Sequence, residues 1–285
     1  MSSKNEKKAN FGLKAADRKR DWLVKGGLTA LVVVFAVALV LYIVMNGQPK
    51  ADPNKAQSIH IASDKVITKP GTKDPKVTVS IYEDFLCPVC GMFEKNYGPT
   101  ISKLIDNGDI AVDYYMVGLL GRGDKNSYST RAGAIGYCVA DTNKEAFRRF
   151  HSALYYNQPQ ETANVFPDNT KLLETARQSG VAVGDSDPVG KCVKNNIYVD
   201  MVNNLPHNTE IQGTPTIKIN GVEANFAPDG NASTLIDKIK AVAPDLPDLT
   251  PAPPVNLPAE AGLNAPPPAA PEAPAAPAEP AAPKP

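Results

Sequence analysis

The segment Cys87-Pro88-Val89-Cys90 constrains this chain more than any other. Two thiols two residues apart can close a reversible disulfide. They also stand where a strand-like run gives way to a helix-like one. Val77, Val79 and Ile81 alternate with Thr78, Ser80 and Tyr82, which is the period of a strand. Pro88 suits a first helical position, because the N–H it lacks would be unpaired there. The free N–H groups and the positive dipole end of that helix then converge near Cys87, where a thiolate is favoured over a thiol. A thiolate attacks disulfides and a thiol does not. Cys87 is therefore expected to be the exposed nucleophile and Cys90, one turn inward, the shielded resolving thiol.

A C-x-x-C pair also occurs as half of a zinc site. A structural zinc needs two more ligands at short spacing. The other cysteines, Cys138 and Cys192, lie far apart, and His60, His151 and His207 do not pair with one another. The redox reading is preferred, and no metal or other cofactor is expected. His151 itself is read as a satisfied core histidine.

The 285 residues are formally neutral, but charge is unevenly spread. Residues 1–25 carry eight Lys or Arg against three acids, and the remainder is mildly acidic. Nothing resembles a nucleic-acid footprint. Gly26 to Met45 is a 20-residue run without a charge, long enough to cross a bilayer as a helix, with Trp22 and Tyr42 near its ends. With the basic flank held in the cytoplasm, the rest of the chain lies outside the plasma membrane. A cleaved signal peptide is the alternative; the run is longer than an h-region and no A-x-A site follows it. An uncleaved single-pass signal anchor is preferred. All four cysteines then face a compartment that permits disulfides. Cys138 with Cys192 is expected to form a structural bridge, two buried free thiols being the alternative.

Residues 46–57 read as a polar linker. Ile59 and Ile61, with Val66 and Ile67, suggest a short strand or hairpin. The strand at 77–82, the cysteine helix, and a strand over 110–117 make a βαβ unit. The cysteine helix is expected to break at Gly98-Pro99 and resume to Asn107-Gly108. A mostly helical insertion follows at about 124–210. It has helices over 127–140, after a cap at Asn143, over 171–179, and over 188–204. The chain returns to strand at 216–219, turns at Asn220-Gly221 and continues through 222–226. A last helix covers 232–242. From Pro244 to the end, 15 of 42 residues are proline and 12 are alanine, so this tail is expected to be extended and without a core of its own. The folded domain is placed at 58–243.

Two motifs in this order resemble the thioredoxin superfamily, in its DsbA-like branch. The first is Tyr82-Glu83-Asp84-Phe85-Leu86-Cys87-Pro88-Val89-Cys90. The second is Gly213-Thr214-Pro215-Thr216, just before a strand. The segment Phe147 to Leu154 is similar to part of that branch's helical insertion. The anchor, second cysteine pair and Pro/Ala tail resemble its mycobacterial and actinobacterial members. The resemblance implies a thioredoxin-like α/β fold with a helical insertion, and a cis Pro215 facing the cysteines as part of the catalytic site. It implies that Thr214, with Pro88 and Val89, contacts an extended substrate. Val89 replaces the histidine of the strongest oxidants, so only a modest depression of the Cys87 pKa is expected. Ile81 stands where many relatives carry a buried acid. Glu83 or Asp84 is the candidate replacement as proton shuttle, solvated loop carboxylates being the alternative.

The function expected is that of a membrane-anchored thiol–disulfide oxidoreductase acting on exported cysteine-containing proteins. The resemblance implies reoxidation by a quinone-linked membrane partner of the vitamin K epoxide reductase type. The alternatives are an export-side reductase or isomerase, and a non-enzymatic thioredoxin-like chaperone or scaffold. An intact C-x-x-C together with Thr214-Pro215 favours the enzyme, since a scaffold needs neither.

Overall fold

The structure, a computed structural model, describes residues 28, 31–38 and 50–254 except 228 and 248. The chain divides into two units, Met1–Pro49 and Lys50–Pro285. In the first, residues 31–38 are helical. Among the described residues no helix is long and apolar enough to cross a membrane. The basic residues 1–25 and most of the segment expected to span a bilayer at 26–45 lie outside the described residues, as does the tail beyond 254.

The second unit is built on a five-stranded sheet. Its strands are β1 (Ile59–Ile61), β2 (Thr78–Glu83), β3 (Ala111–Met116), β4 (Thr216–Ile219) and β5 (Val222–Glu223), in the order β1-β3-β2-β4-β5. Only β2 and β3 run parallel, with Ile81 opposite Tyr114. The crossover between them is helix α1 (Pro88–Asn107), as the βαβ pattern requires. The antiparallel partner of β2 on its other side is β4, where Tyr82 faces Thr216. This register brings the residues just before β4 beside the residues just after β2. The cysteine pair and Pro215 therefore meet at one end of the sheet.

Between β3 and β4 lie α2 (Tyr128–Thr142), α3 (Lys144–Tyr156), α4 (Asn169–Gln178), α5 (Pro188–Lys194) and α6 (Val199–Asn208), and α7 (Ala232–Val242) closes the fold. Val79 and Ile81 from the sheet, Phe93, Ile101 and Leu104 from α1, and Phe147 and Phe150 from α3 share one fully buried core.

Five expectations are corrected. The break at Gly98-Pro99 is absent, and α1 runs through Pro99. Phe93, Tyr97, Ile101 and Leu104 repeat at helical spacing and are all buried, and that burial outweighs the hydrogen bond a proline removes. The helix expected over 188–204 is two helices, because Asn196 takes a left-handed φ of 51° between them. The strand expected to reach Phe226 stops at Glu223. Phe226 leaves the sheet and packs edge-on against Phe93 and Tyr97.

The domain also extends past both expected limits. Upstream of 58, Ala51 N–H donates to the Ile197 carbonyl, Asn204 and Asn208 donate to the Pro53 carbonyl, and the Tyr137 hydroxyl donates to the Gln57 carbonyl. Downstream of 243, Leu246 and Leu249 are buried, Lys103 donates to Thr250, and Lys76 pairs with Asp245. Proline-rich chain cannot make its own core, but these leucines use the core already formed by α1 and α7.

Candidate active site

Cys87 is the N-cap residue of α1, in an extended backbone conformation (φ −72°, ψ 117°), and Pro88 opens the first turn. Its N–H donates to the Asp84 carbonyl at 2.9 Å, and its own carbonyl accepts the first helical bond, from Gly91. A turn fastened this way aims the sulfur back over the free N–H groups of Val89 and Cys90. The Thr214–Pro215 bond is cis, and the Thr214 carbonyl accepts from the Cys87 thiol at 3.4 Å. Pro88 is exposed, while Val89 and the Gly213–Thr216 strip are half-buried. The expected substrate-facing residues thus surround one sulfur.

The two thiols are chemically split. Cys87 is pulled down from 9.0 to about 6, chiefly by a hydrogen bond from the Cys90 thiol, with further help from the Thr214 side chain and the Cys90 and Val89 N–H groups against the cost of burial. Cys90 is pushed well above 9.0 by its burial and by the charge it would place beside Cys87 and Glu83. Two expectations change here. Cys87 is only 7 % exposed, so it is a recessed nucleophile rather than an exposed one. The depression is also deeper than Val89 suggested, because its main donor is the partner thiol and not a side chain at position 89.

Neither candidate shuttle is a solvated loop carboxylate. Asp84 is fully buried, and its two oxygens accept the N–H groups of Leu86 and Leu120, both at 2.8 Å. It braces the turn leading to Cys87. Burial lifts it to about 6 against those bonds. Glu83 is also fully buried and faces α3, where its Oε2 lies 2.9 Å from His151 Nε2. Burial pushes Glu83 up to about 8, with Glu94 hydrogen-bonded to it and the Cys87 charge adding a smaller rise. Glu94, 3.9 Å from His151 Nδ1, is likewise raised well above the carboxylate range by burial and by Glu83. His151 is boxed in by Phe85, Tyr114, Phe147 and Tyr155, and burial lowers its pKa.

Glu83, Glu94 and His151 have donor atoms within 4.8 Å of one another, which is also the geometry of a cation site. Of these atoms, Glu83 Oε2 and His151 Nε2 are hydrogen-bonded to one another, while Glu83 Oε1 and Glu94 Oε1 are buried without a hydrogen-bond partner. His151 is thus a core histidine, as expected, but one tied to the redox pair through Glu83. Glu94 went unread in the sequence, although it sits one helical turn beyond Cys90 on the same face of α1. Gln158, whose amide reaches the cysteine turn, carried no sequence signal at all.

Cys138 on α2 and Cys192 on α5 are bonded, with Cα atoms 5.8 Å apart. The bridge sits within the helical insertion, and Cys87 and Cys90 are both free thiols.

This arrangement has close counterparts. The profile of the family described as Thioredoxin matches residues 65–238. Oxidised DsbA of Mycobacterium tuberculosis superposes with a TM-score of 0.61 at 44% identity, over 67% of this chain and 95% of that one. Disulfide bond formation protein D of Bacillus subtilis is 30% identical over 173 residues, 59% of this chain and 74% of that protein. The serine/threonine-protein kinase PknE of Mycobacterium tuberculosis is 30% identical over 143 residues, 49% of this chain. The match spans only 24% of that kinase's own length. With a family profile across most of the second unit and a DsbA covered almost end to end, the chain belongs to the thioredoxin family, among its DsbA-like thiol–disulfide oxidoreductases.

Proposed function

We propose that this chain introduces disulfide bonds into exported proteins through Cys87-Pro88-Val89-Cys90, held at the plasma membrane by residues 26–45 with the second unit outside. The observation that carries the direction of electron flow is the split between the thiols. A thiol with a pKa of about 6 is a good leaving group and a stable thiolate, which favours the reduced pair and makes its disulfide oxidising.

In the cycle, a substrate thiolate attacks the Cys87 sulfur of the Cys87–Cys90 disulfide. The S–S bond breaks, and the electron pair leaves on Cys90. That thiolate is buried and takes a proton from Glu83, which burial holds neutral at neutral pH. A second substrate thiolate, its proton lost to water, attacks the substrate sulfur of the mixed disulfide. The substrate disulfide forms and Cys87 departs as a thiolate. Two electrons have moved from substrate to enzyme. A quinone-linked membrane oxidase of the vitamin K epoxide reductase type would remove them. The Thr214 carbonyl beside Cys87 offers an extended substrate a backbone acceptor.

The test uses reduced, denatured ribonuclease A and the pre-oxidised chain. Expected is one disulfide transferred per chain and none by Cys87→Ser or Cys90→Ser, neither of which has a disulfide to give. Offered scrambled, disulfide-bonded ribonuclease instead, reduced Cys90→Ser should attack through Cys87, release a substrate thiolate and stay trapped as the mixed disulfide. A chain that instead reduces insulin readily and leaves ribonuclease untouched overturns the oxidase reading in favour of a reductase. Membrane anchoring is checked separately: the full chain should pellet with membranes, and a chain lacking residues 1–49 should not.

A further inference from the structure

The connection after α3 carries a side chain that the cycle above does not use. Gln158 lies two residues beyond the end of α3, in the helical insertion. Its Nε2 donates to the Cys87 carbonyl at 2.9 Å and to the Phe85 carbonyl at 3.0 Å. One amide therefore clamps both sides of the turn that presents the nucleophile. The helix makes room for it. At Gly91, the residue after the active-site pair, any Cβ would run into Gln158 Oε1 and crowd the rest of the amide. Gly91 is buried on that face, so the amide and the missing side chain fit together. A glycine inside a helix is destabilising relative to alanine, and at Gly91 its missing side chain leaves the space that Gln158 fills.

We propose that Gln158 is a positioning residue that latches the helical insertion to the Cys87 turn and holds that turn in its thiolate-stabilising shape. The physical reason is local. The Phe85 and Cys87 carbonyls flank the nucleophile with their negative ends. Satisfied by an amide, they are directed away from the sulfur. Without the amide, the Phe85 carbonyl loses this partner and the Cys87 carbonyl keeps only its helical bond from Gly91, so the Cys87 backbone is held less firmly where Cys90, Thr214 and the first-turn N–H groups meet its sulfur. The latch also gives the insertion a direct mechanical connection to the redox centre, through a backbone contact at the nucleophile itself.

The inference deepens the oxidase reading, and its test is read on the thiol rather than on turnover. In Gln158→Ala the Cys87 pKa should rise by about one unit, measured by thiolate absorbance or by alkylation rate against pH, with a correspondingly weaker oxidant in glutathione titration. Gly91→Ala should displace the amide and give a shift of the same sign. The double variant should shift no further than the larger single change, because both act on one latch. Gln158→Glu supplies the internal control. Its carboxylate cannot donate, so the shift should persist at pH 8, whereas the protonated acid at low pH can donate once and restore part of the wild-type reactivity. Far-UV circular dichroism confirms that each variant is folded; should Gln158→Ala not fold, Gly91→Ala and Gln158→Glu carry the same comparison. Wild-type Cys87 pKa and potential in folded Gln158→Ala, or additive shifts in the double variant, overturn the latch while leaving the oxidase reading intact. Failure of the wild-type chain to oxidise ribonuclease, with the shifts present, does the reverse.

Discussion

At Cys87 the largest stabilising donor is the Cys90 thiol, so the nucleophile's acidity belongs to the pair rather than to either residue. Alkylation of the reduced chain should show Cys87 reacting with an inflection near pH 6 while Cys90 stays silent. In Cys90→Ala the inflection should climb toward the free-thiol value; an unchanged inflection would assign the acidity to the helix terminus and Thr214 alone. The same shift sets a pH dependence. Because the folded pKa of Cys87 lies below its unfolded value, its contribution to the reduced fold is full above about 9 and is lost as pH falls through about 6. Measured against the oxidised chain, which has no thiol to titrate at that site, the reduced chain should therefore gain stability from pH 6 upward. Glu83 works the other way. Its folded pKa of about 8 lies above 4.5, so the folded state holds a proton that the unfolded state releases. Stability from this group is full below about 4.5 and is lost as pH rises through about 8. Glu83→Gln should flatten that fall, visible as a urea midpoint that changes less between pH 5 and 8 than in the wild type.

The elements follow rules that were visible residue by residue. Asn143 caps α3 as expected, its side chain accepting from the Ala146 N–H at 2.9 Å. Asn143→Ala should cost about 1 kcal/mol in chemical denaturation, with no effect on the Cys87 pKa. Ser127 and Asp168 cap α2 and α4 in the same manner. Gly108 ends α1 in the left-handed region, φ 84°, where it lies against the Lys65 carbonyl. Of the prolines, Pro99 misled the reading of α1, and Pro206 behaves as it does. Pro99 and Pro206 each sit inside a helix that goes on past them. Local chemistry disfavours both positions, and buried neighbours on the same faces, Tyr97 and Ile101 in one case and Leu205 in the other, carry the helix through.

At the scale of the whole molecule, the sheet brings two distant motifs together and the disulfide ties the insertion to itself. Cys138 and Cys192 are 54 residues apart. Closing a loop of that length removes about 4 kcal/mol of unfolded-state entropy on the chain-entropy model. Cys138→Ser with Cys192→Ser should lose up to that amount in urea unfolding, while disulfide transfer at Cys87 below the transition stays at the wild-type level. Loss of transfer in the folded double variant would show that the bridge serves the redox centre and not only the fold. The ends of the domain also belong to this scale. Residues 50–57 and 244–254 are held by contacts with α1, α2, α6 and the turn before α6 rather than by any pattern of their own.

The parts whose causes are local could be read from the residues alone. These are the strand before Cys87, the proline at the helix start, the caps, the hairpin at Asn220-Gly221, and the nucleophilic order of the two thiols. For Cys138 and Cys192 the sequence offered a bridge or two buried free thiols, and the fold closes the bridge by bringing their Cα atoms to 5.8 Å. The burial of Glu83 is a product of the fold, because it depends on α3 crossing the end of β2 some 70 residues later. The same holds for Glu94 and His151, whose chemistry arises from proximity to Glu83, and for Gln158, which is an ordinary loop glutamine until the fold lays it over Gly91. Leu246 and Leu249 lie in chain that cannot form a core, and they are buried because α1 and α7 had already made one. Each of these residues acts through a neighbour distant in sequence, and a one-dimensional pattern carries no record of such neighbours.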